Sequence, residues 1–204
     1  NNNRTLLPGD FIYKDVNGDG IINGMDERPI GYPEGWAPIM SFGGNIGLAW
    51  KGIDLNIDLS GGAMQGWRQN YELANAYHGN GNSPVYLLED RWHRADLYDP
   101  ESEWIPGRYP AIRKGEFSYN NKNSDFWLHN VRYLRIKNLE VGYSLPAQLL
   151  RPIRAQKVRI YANVSNLCSF DNVGKFGVDP EITAAAAVVY PQQRTFLLGF
   201  NITY

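Results

Sequence analysis

Apolar and polar residues alternate strictly over a stretch near the first quarter of the chain. The pattern predicts two strands, 40–50 and 53–60, joined by a tight turn at Lys51–Gly52, which is a β-hairpin. The second strand carries two aspartates on its polar side, and a face of that kind faces water rather than a packed core. The predicted apolar positions are Met40, Phe42, Ile46, Leu48, Trp50, Ile53, Leu55, Ile57 and Leu59; the lumen-side polar positions include Asp54, Asn56 and Asp58.

Three further segments have the same period of two residues, at 126–144, 157–168 and 194–204. In the first of them the apolar phase slips at Lys137–Asn138, so either a β-bulge lies there or the two halves face different surroundings. We also expect a short first strand near Asp10–Lys14. The chain is therefore predicted to be all-β, with about six strands.

The connections between these strands alternate between long and short. The short ones are 51–52 and 145–156, and the long ones are 15–38, 63–125 and 169–193. Outer-membrane β-barrels have this order, with short turns on one side of the membrane and long loops on the other. Three strands that end on the short-turn side end in aromatic residues of the apolar phase, as interfacial girdles do: Trp50, Tyr143 and Tyr204.

Composition excludes several classes of protein. With 43% hydrophobic residues and a net charge of -1, the chain is neither disordered nor basic enough to predict a nucleic-acid partner. The single Cys168 excludes an internal disulfide and a multi-cysteine metal site. The longest apolar run, Ala184–Tyr190, is too short for a transmembrane helix, and the first residues do not resemble a signal peptide. A transmembrane β-barrel stays possible, because its alternating strands have a polar mean hydropathy.

Residues 15–26 have the pattern of a calcium-binding loop, D-x-N-x-D-G with a carboxylate at position 12. Oxygen ligands are predicted from Asp15, Asn17, Asp19 and Asp26, with Glu27 as an alternative to Asp26, and from the backbone carbonyl of Ile21. These hard ligands on a flexible loop favour Ca²⁺ over Mg²⁺. The aspartate at position 12 departs from the usual glutamate, and a metal-free turn rich in Asn, Asp and Gly is the alternative.

No arrangement typical of catalysis is present. The three histidines, His78, His93 and His129, belong to no recognisable triad or metal motif. Glu101 and Glu103 are expected to be solvated loop acids rather than a glycosidase pair. The predicted loop 63–125 is rich in aromatic residues, which either pack the loop, hold a partner or contact sugar and peptide substrates: Trp67, Tyr71, Tyr77, Tyr86, Trp92, Tyr98, Trp104, Tyr109, Phe117 and Tyr119.

Motifs along nearly the whole chain resemble the C-terminal portion of the SusC-like (RagA-like) TonB-dependent outer-membrane transporters of Bacteroidetes. The matching stretches are 9–15 with Asn17–Gly20, Arg91–Trp92, 133–139, Gly142–Pro146, Ile160–Tyr161, Ser165–Leu167, Asp179–Glu181, Tyr190–Pro191 and Gly199–Asn201. The resemblance implies an antiparallel transmembrane β-barrel of roughly 22 strands. Residues 1–204 would form its C-terminal strands and long extracellular loops, and the plug domain and TonB box would lie outside them.

The same resemblance implies a function. The family imports large nutrients, oligosaccharides or peptides, across the outer membrane with energy delivered through TonB and with a SusD-like surface lipoprotein as a lid. The residues alone also permit a secreted β-sandwich, a carbohydrate-binding module with a calcium-stabilised loop. The two differ in their apolar face, because a sandwich buries it and a barrel turns it to lipid. A secreted glycanase is a third, weaker alternative.

Overall fold

The computed structural model describes residues 6–35, 37–113, 119–181, 190 and 192–204. They fall into two compact units. The sheet unit comprises residues 35–65, 130–181 and 190–204, and the loop unit comprises residues 6–34 and 66–129, each within the described ranges. The predicted apolar run at 184–190, apart from Tyr190, and the aromatic residue Phe117 lie outside the described residues.

The sheet unit is built around a five-stranded sheet whose neighbouring strands follow one another along the chain. Its order is β1-β2-β5-β6-β7, and the pairs β1–β2, β5–β6 and β6–β7 are antiparallel. The chain is therefore mostly antiparallel β-structure with few helices, as predicted. The strands are β1 (Met40–Trp50), β2 (Ile53–Arg68), β5 (Leu128–Ser144), β6 (Lys157–Asp171) and β7 (Thr195–Thr203).

The predicted hairpin turn is confirmed. Trp50 pairs with Ile53, so Lys51 and Gly52 form a two-residue loop. Both have positive φ, 46° and 86°, which is the backbone of the turns that match the twist of a hairpin. The second short connection, 145–156, contains the helix α2 (Ala147–Leu150) and a 3₁₀ turn at Arg151–Ile153.

The phase slip in β5 is a β-bulge. The register against β6 shifts between Ile136 and Asn138. On either side of this shift, Lys137 and Asn138 both direct their side chains to the polar side of the sheet, to Glu181 and Asp58 respectively. Ile136 pairs with Cys168 and Asn138 with Ser165, so β6 advances three residues against two in β5, and the extra residue of the bulge lies in β6.

That apolar face, which we call the outer face, is largely exposed, although Val158 on it is buried. Cross-strand rows such as Tyr143–Ile160–Phe200 and Val141–Ala162–Leu198 run across β5, β6 and β7. Many large apolar side chains on this face are at least 38% exposed, and no layer of the described residues covers them: Phe42, Ile46, Leu48, Trp50, Ile53, Leu134, Val141, Tyr143, Ile160, Phe170, Phe196, Leu198, Phe200 and Ile202.

One predicted strand and one predicted loop boundary are wrong. No strand forms at Asp10–Lys14, because the chain there bonds to side chains and loops instead of a neighbouring strand. The backbone N–H of Phe11 donates to Asn120 Oδ1 at 3.1 Å, and the Tyr13 hydroxyl donates to the carbonyl of Tyr119 at 2.6 Å. The long loop predicted from residue 63 begins only after Arg68, since β2 continues beyond its alternating part.

The loop unit has its own small aromatic core. Leu87, Tyr109 and Trp127 are buried, with Phe11 and Phe126 packed against them. The Trp127 indole N–H donates to the Asn120 carbonyl at 2.7 Å, which satisfies its polar atom. The other elements are α1 (Val85–Glu89), the two-residue strands β3 (His93–Arg94) and β4 (Trp104–Ile105), and 3₁₀ turns at Gly24–Asp26, Tyr71–Leu73 and His78–Asn80; Gly174–Phe176 is a similar turn in the sheet unit.

The helices are all short. Across the described ranges, none has both the length and the apolar composition needed to cross a membrane. The helix α1 ends at Glu89, and its N-cap residue, Pro84, makes no side-chain cap hydrogen bond.

Candidate functional site

The face of the sheet opposite the outer face, which we call the polar face, is covered by a network of charged and amide side chains. At its centre Arg159 on β6 joins two strands: its Nε donates to Asp54 Oδ2 at 3.0 Å and its Nη2 to Glu140 Oε1 at 2.7 Å. Asp54 and Glu140 come from β2 and β5, so one guanidinium ties three strands together. The predicted polar phase of the second strand is confirmed by these contacts.

A row of amides and carboxylates continues this network. Asn45 Nδ2 donates to Asn56 Oδ1 at 2.8 Å and to Asp58 Oδ1 at 2.7 Å, and Asn163 Nδ2 donates to Asn138 Oδ1 at 2.8 Å. Side-chain amides and carboxylates bind one another here, and they are also the groups that hydrogen-bond sugar hydroxyls and peptide amides. The row is therefore a hydrophilic wall that can contact a polar solute.

A charged cluster, which we call the clamp, holds the connection between β6 and β7 against the polar face. Arg135 of β5 is only 4% exposed, and it donates to Asp179 Oδ2 at 2.7 Å and to Glu181 Oε2 at 2.9 Å. Lys137 Nζ lies 2.6 Å from the same Glu181 oxygen, and Ser60 donates to the other oxygen at 3.0 Å. A buried guanidinium with two carboxylate partners fixes the loop by geometry as well as by charge.

The clamp also changes the acidity of its loop carboxylate. Burial alone would raise the pKa of Glu181, but the hydrogen bond from Lys137 and the nearby Arg135 hold it below its ordinary value. Sequence reasoning did not find the clamp. The stretch Asp179–Pro180–Glu181 was singled out only as a point of resemblance, and its partners lie more than forty residues away.

The predicted metal loop adopts a compact conformation stabilised by its own carboxylates. Asp15 accepts hydrogen bonds from the N–H groups of Gly18 at 2.6 Å and Gly20 at 2.8 Å. Asp26 accepts from Asn23 and Val16, both at 2.8 Å, and these backbone donors lower its pKa. Within the described residues no cluster of three or more His, Cys, Asp or Glu side chains is close enough to share a metal ion.

The aromatic residues of the long loop differ in their exposure. Tyr109 is buried in the core of the loop unit and Trp67 is buried near the end of β2, whereas Tyr71, Tyr77 and Tyr98 are exposed and the other described ones are half-buried. Trp127, which sequence reasoning did not single out, is the centre of the loop unit's core at 2% exposure. A cavity of about 480 Å³ lies beside this core and is lined by asparagines, His78 and Arg113 among others.

Two of the histidines contact neighbouring side chains, and the two loop acids face solvent. His129 stacks on Trp67, with ring centroids 5.4 Å apart, and binds Gln69 Oε1 at 3.0 Å. His78 lies 3.3 Å from Glu72. Glu101 and Glu103 are both exposed. These surroundings show no nucleophile or paired acid at the described positions.

Similarity to known proteins gives these faces a context. No family model matches the chain. It is 27% identical over 210 residues to TonB-dependent receptor P3 of Formosa agariphila. This match covers 97% of this chain and 19% of that protein. It is 33% identical over 99 residues to TonB-dependent receptor SusC of Bacteroides thetaiotaomicron, covering 46% of this chain and 9% of that one. The chain spans about a fifth of the length of the first of these relatives.

Solved structures show the same fold. The RagAB peptide importer in its open-open state matches 84% of this chain, and 18% of the compared chain, with a TM-score of 0.54 and 20% identity. The closed-closed state gives the same TM-score at 21% identity, over 83% of this chain and 18% of the other. The relatives are receptors and importers rather than enzymes.

These comparisons bear on two predictions. Because TonB-dependent receptors are outer-membrane proteins of Bacteroidetes, the predicted outer-membrane location is confirmed. The predicted resemblance is confirmed as well: the chain is similar to the TonB-dependent receptors over nearly its whole length, and SusC and RagA are among the proteins that it matches.

Proposed function

We propose that residues 1–204 are the C-terminal part of one β-barrel domain, a closed transmembrane barrel of roughly 22 strands in a TonB-dependent transporter. In this function the outer face contacts lipid and the polar face lines the interior. The observation that carries the proposal is the division of one sheet into two faces. Leu198 and Phe200 are 83% and 70% exposed on one side, and the Arg159 network covers the other.

The transporter would import large nutrients, oligosaccharides or peptides, using energy supplied by TonB through a part of the protein outside this chain. The polar face supports this role, because amides and carboxylates offer both donors and acceptors to a hydrated solute. The similarity to receptors and to a peptide importer supports it too. We expect the rows of side chains that contain Asp54 and Asp58 to form part of the wall of the interior rather than a specific substrate site.

A SusD-like surface lipoprotein is the proposed partner, acting as a lid over the long-loop side. Support comes from the similarity to SusC and to RagAB. In this orientation the turns 51–52 and 145–156 are periplasmic, and the long connections are extracellular. The exposed aromatics Tyr71, Tyr77 and Tyr98 of the loop unit are then available to the lid or to substrate.

The loop 15–26 is proposed to bind one Ca²⁺ through Asp15, Asn17, Asp19, Asp26 and the Ile21 carbonyl. Carboxylate oxygens that accept one backbone N–H retain a second lone pair for a metal. The positive φ of Gly18 and Gly20, 78° and 81°, gives the sharp turns that such a loop needs. The role of the ion would be structural.

A secreted β-sandwich carbohydrate-binding module is less well supported. A sandwich buries its apolar sheet face against a second sheet, whereas the outer face here has exposed large apolar side chains in every strand. The outer-membrane location of the relatives argues in the same direction.

Uptake by cells tests the proposed function. Cells that carry the complete transporter gene and a gene for the proposed SusD-like lipoprotein should take up a labelled oligosaccharide or peptide mixture, and cells lacking TonB should not. A cysteine placed at Tyr98 should react with an impermeant maleimide on intact cells. If it reacts only after the outer membrane is permeabilised, the proposed orientation is wrong.

A further inference from the structure

A shallow groove of about 470 Å³ opens at the end of the sheet that carries the long connections. It is lined by Phe42, Ala63, Arg132, Phe170, Asp171 and Asn172 among others. Phe42 and Phe170 belong to the outer face, and both are exposed, at 48% and 64%. The groove is thus an interruption in the apolar surface with an aromatic ring on either side.

Arg132 places a positive charge on the same face. It precedes Leu134 by two residues in β5, so its side chain lies on the outer face with Leu134 and Phe170, which are paired. Arg132 is exposed, and within the described residues its guanidinium has neither an ion pair nor a hydrogen bond. Its backbone N–H donates to Asn172 Oδ1 at 3.0 Å, which fixes the position of the residue at the strand end.

Within the described residues, the carboxylate in the groove forms no ion pair with this arginine. Asp171 Oδ1 accepts hydrogen bonds from the N–H groups of Val173 at 3.0 Å and Gly174 at 2.5 Å, so its charge is directed toward its own loop. Within the described residues, an unpaired guanidinium therefore lies beside two exposed aromatic rings at the end of the apolar outer face.

We propose that this groove is a binding site for a lipid with a phosphorylated head group. The proposal rests on the proposed membrane orientation of the sheet. A guanidinium binds a phosphate through two parallel N–H groups, while acyl chains extend along the apolar outer face toward the membrane centre. Aromatic side chains at the level of the head groups stabilise the same boundary. The lipid, rather than a free anion, is the occupant because the guanidinium lies at the end of an apolar surface that acyl chains can cover.

Native mass spectrometry of the complete receptor in detergent tests this site. The probes are phosphatidylglycerol, diacylglycerol with the same chains, and inorganic phosphate. Arg132→Gln is the test variant, and Arg154→Gln is the matched control, because Arg154 is an exposed arginine in the opposite, short connection. Heat modifiability on gels confirms that each variant is an assembled barrel.

We expect the receptor to retain phosphatidylglycerol at least about fivefold more than diacylglycerol, Arg132→Gln to lose that preference, and Arg154→Gln to keep it. Equal retention of both lipids, no change in Arg132→Gln, or equal loss in both variants would overturn the site. Displacement of the lipid by millimolar inorganic phosphate would also overturn it, since the site would then bind free anions. The cysteine labelling at Tyr98 reports on orientation separately, so failure of the groove and failure of the proposed function give different results.

Discussion

The two faces of the five-stranded sheet are made from the same strands and the same backbone, yet their side chains have different neighbours. Leu197 and Leu198 of β7 show the difference at neighbouring positions. Leu198 pairs with Ala162 on the outer face and is 83% exposed, whereas Leu197 pairs with Asn163 in the polar network. The comparison teaches that exposure alone does not tell which solvent a side chain faces, because the outer face is proposed to contact lipid and the polar face to contact water.

The largest effect should come from placing a charge on one face or the other. Leu198→Arg should reduce the amount of assembled barrel several-fold, because a cation on the lipid face near the membrane centre costs roughly 2–4 kcal/mol. Leu197→Arg, the matched control, should change assembly little, since its side chain enters the wet network. Immunoblots of heat-modifiable barrel in outer-membrane fractions measure both. Equal losses would show that the two faces have the same surroundings.

The second largest effect should come from the clamp, which contains a buried residue of the polar face, Arg135. Arg135→Met leaves two carboxylates without their guanidinium, and we expect a loss of about 2 kcal/mol, below the figure for fully buried pairs because the carboxylates are partly exposed. The connection between β6 and β7 should become sensitive to protease, and the barrel should stay assembled. Arg151→Met, at an exposed arginine, is the control, and a protease pattern unchanged by Arg135→Met would contradict this account of the clamp.

Acid should weaken the same clamp. The pKa of Glu181 is lowered in the folded protein, so its contribution to stability is complete above its ordinary, unfolded pKa and is lost as the pH falls through the lowered value. Arg135, Lys137 and Ser60 donate hydrogen bonds to it. Protease sensitivity of the loop should rise only below about pH 4. Glu181→Gln should be more sensitive at neutral pH and should respond less to acid.

The smallest expected effect concerns the metal loop, which lies outside the sheet. Asp19→Ala should weaken Ca²⁺ binding at least about tenfold by calorimetry, since even the loss of an outer-shell partner costs that much, and should leave barrel assembly unchanged. Asn3→Ala is a control outside the loop. A wild-type protein that binds no Ca²⁺ at millimolar concentration would remove the proposed site.

The strands of the sheet were predictable because each carries its own signal. Alternation marks the outer face residue by residue, and the slip at Lys137–Asn138 located the bulge without knowledge of its partner. The hairpin turn was similarly local, since Lys51 and Gly52 lie between two alternating runs. In these cases the information needed is contained within about ten residues.

The features that sequence reasoning missed depend on distant partners. Arg135 is an ordinary charged strand residue until Asp179 and Glu181 reach it from the next connection. Trp127 becomes the centre of the loop unit only because Phe11 and Tyr109 pack on it. The segment Asp10–Lys14 has strand-like composition, but its bonds to Asn120 and Tyr119 replace a strand partner. Local periodicity contains no information about such contacts.

The most direct test of the central claim is the surroundings of each side chain along β7. Single cysteines at positions 196 to 202, in a receptor whose native Cys168 is replaced by serine, would carry a nitroxide spin label in membranes. Collision rates with oxygen and with a water-soluble nickel chelate are then measured. We expect oxygen accessibility to peak at Phe196, Leu198, Phe200 and Ile202, and nickel accessibility to peak at the positions between them. Accessibility that does not alternate with a period of two residues would contradict the assignment of one face to lipid and the other to the wet interior.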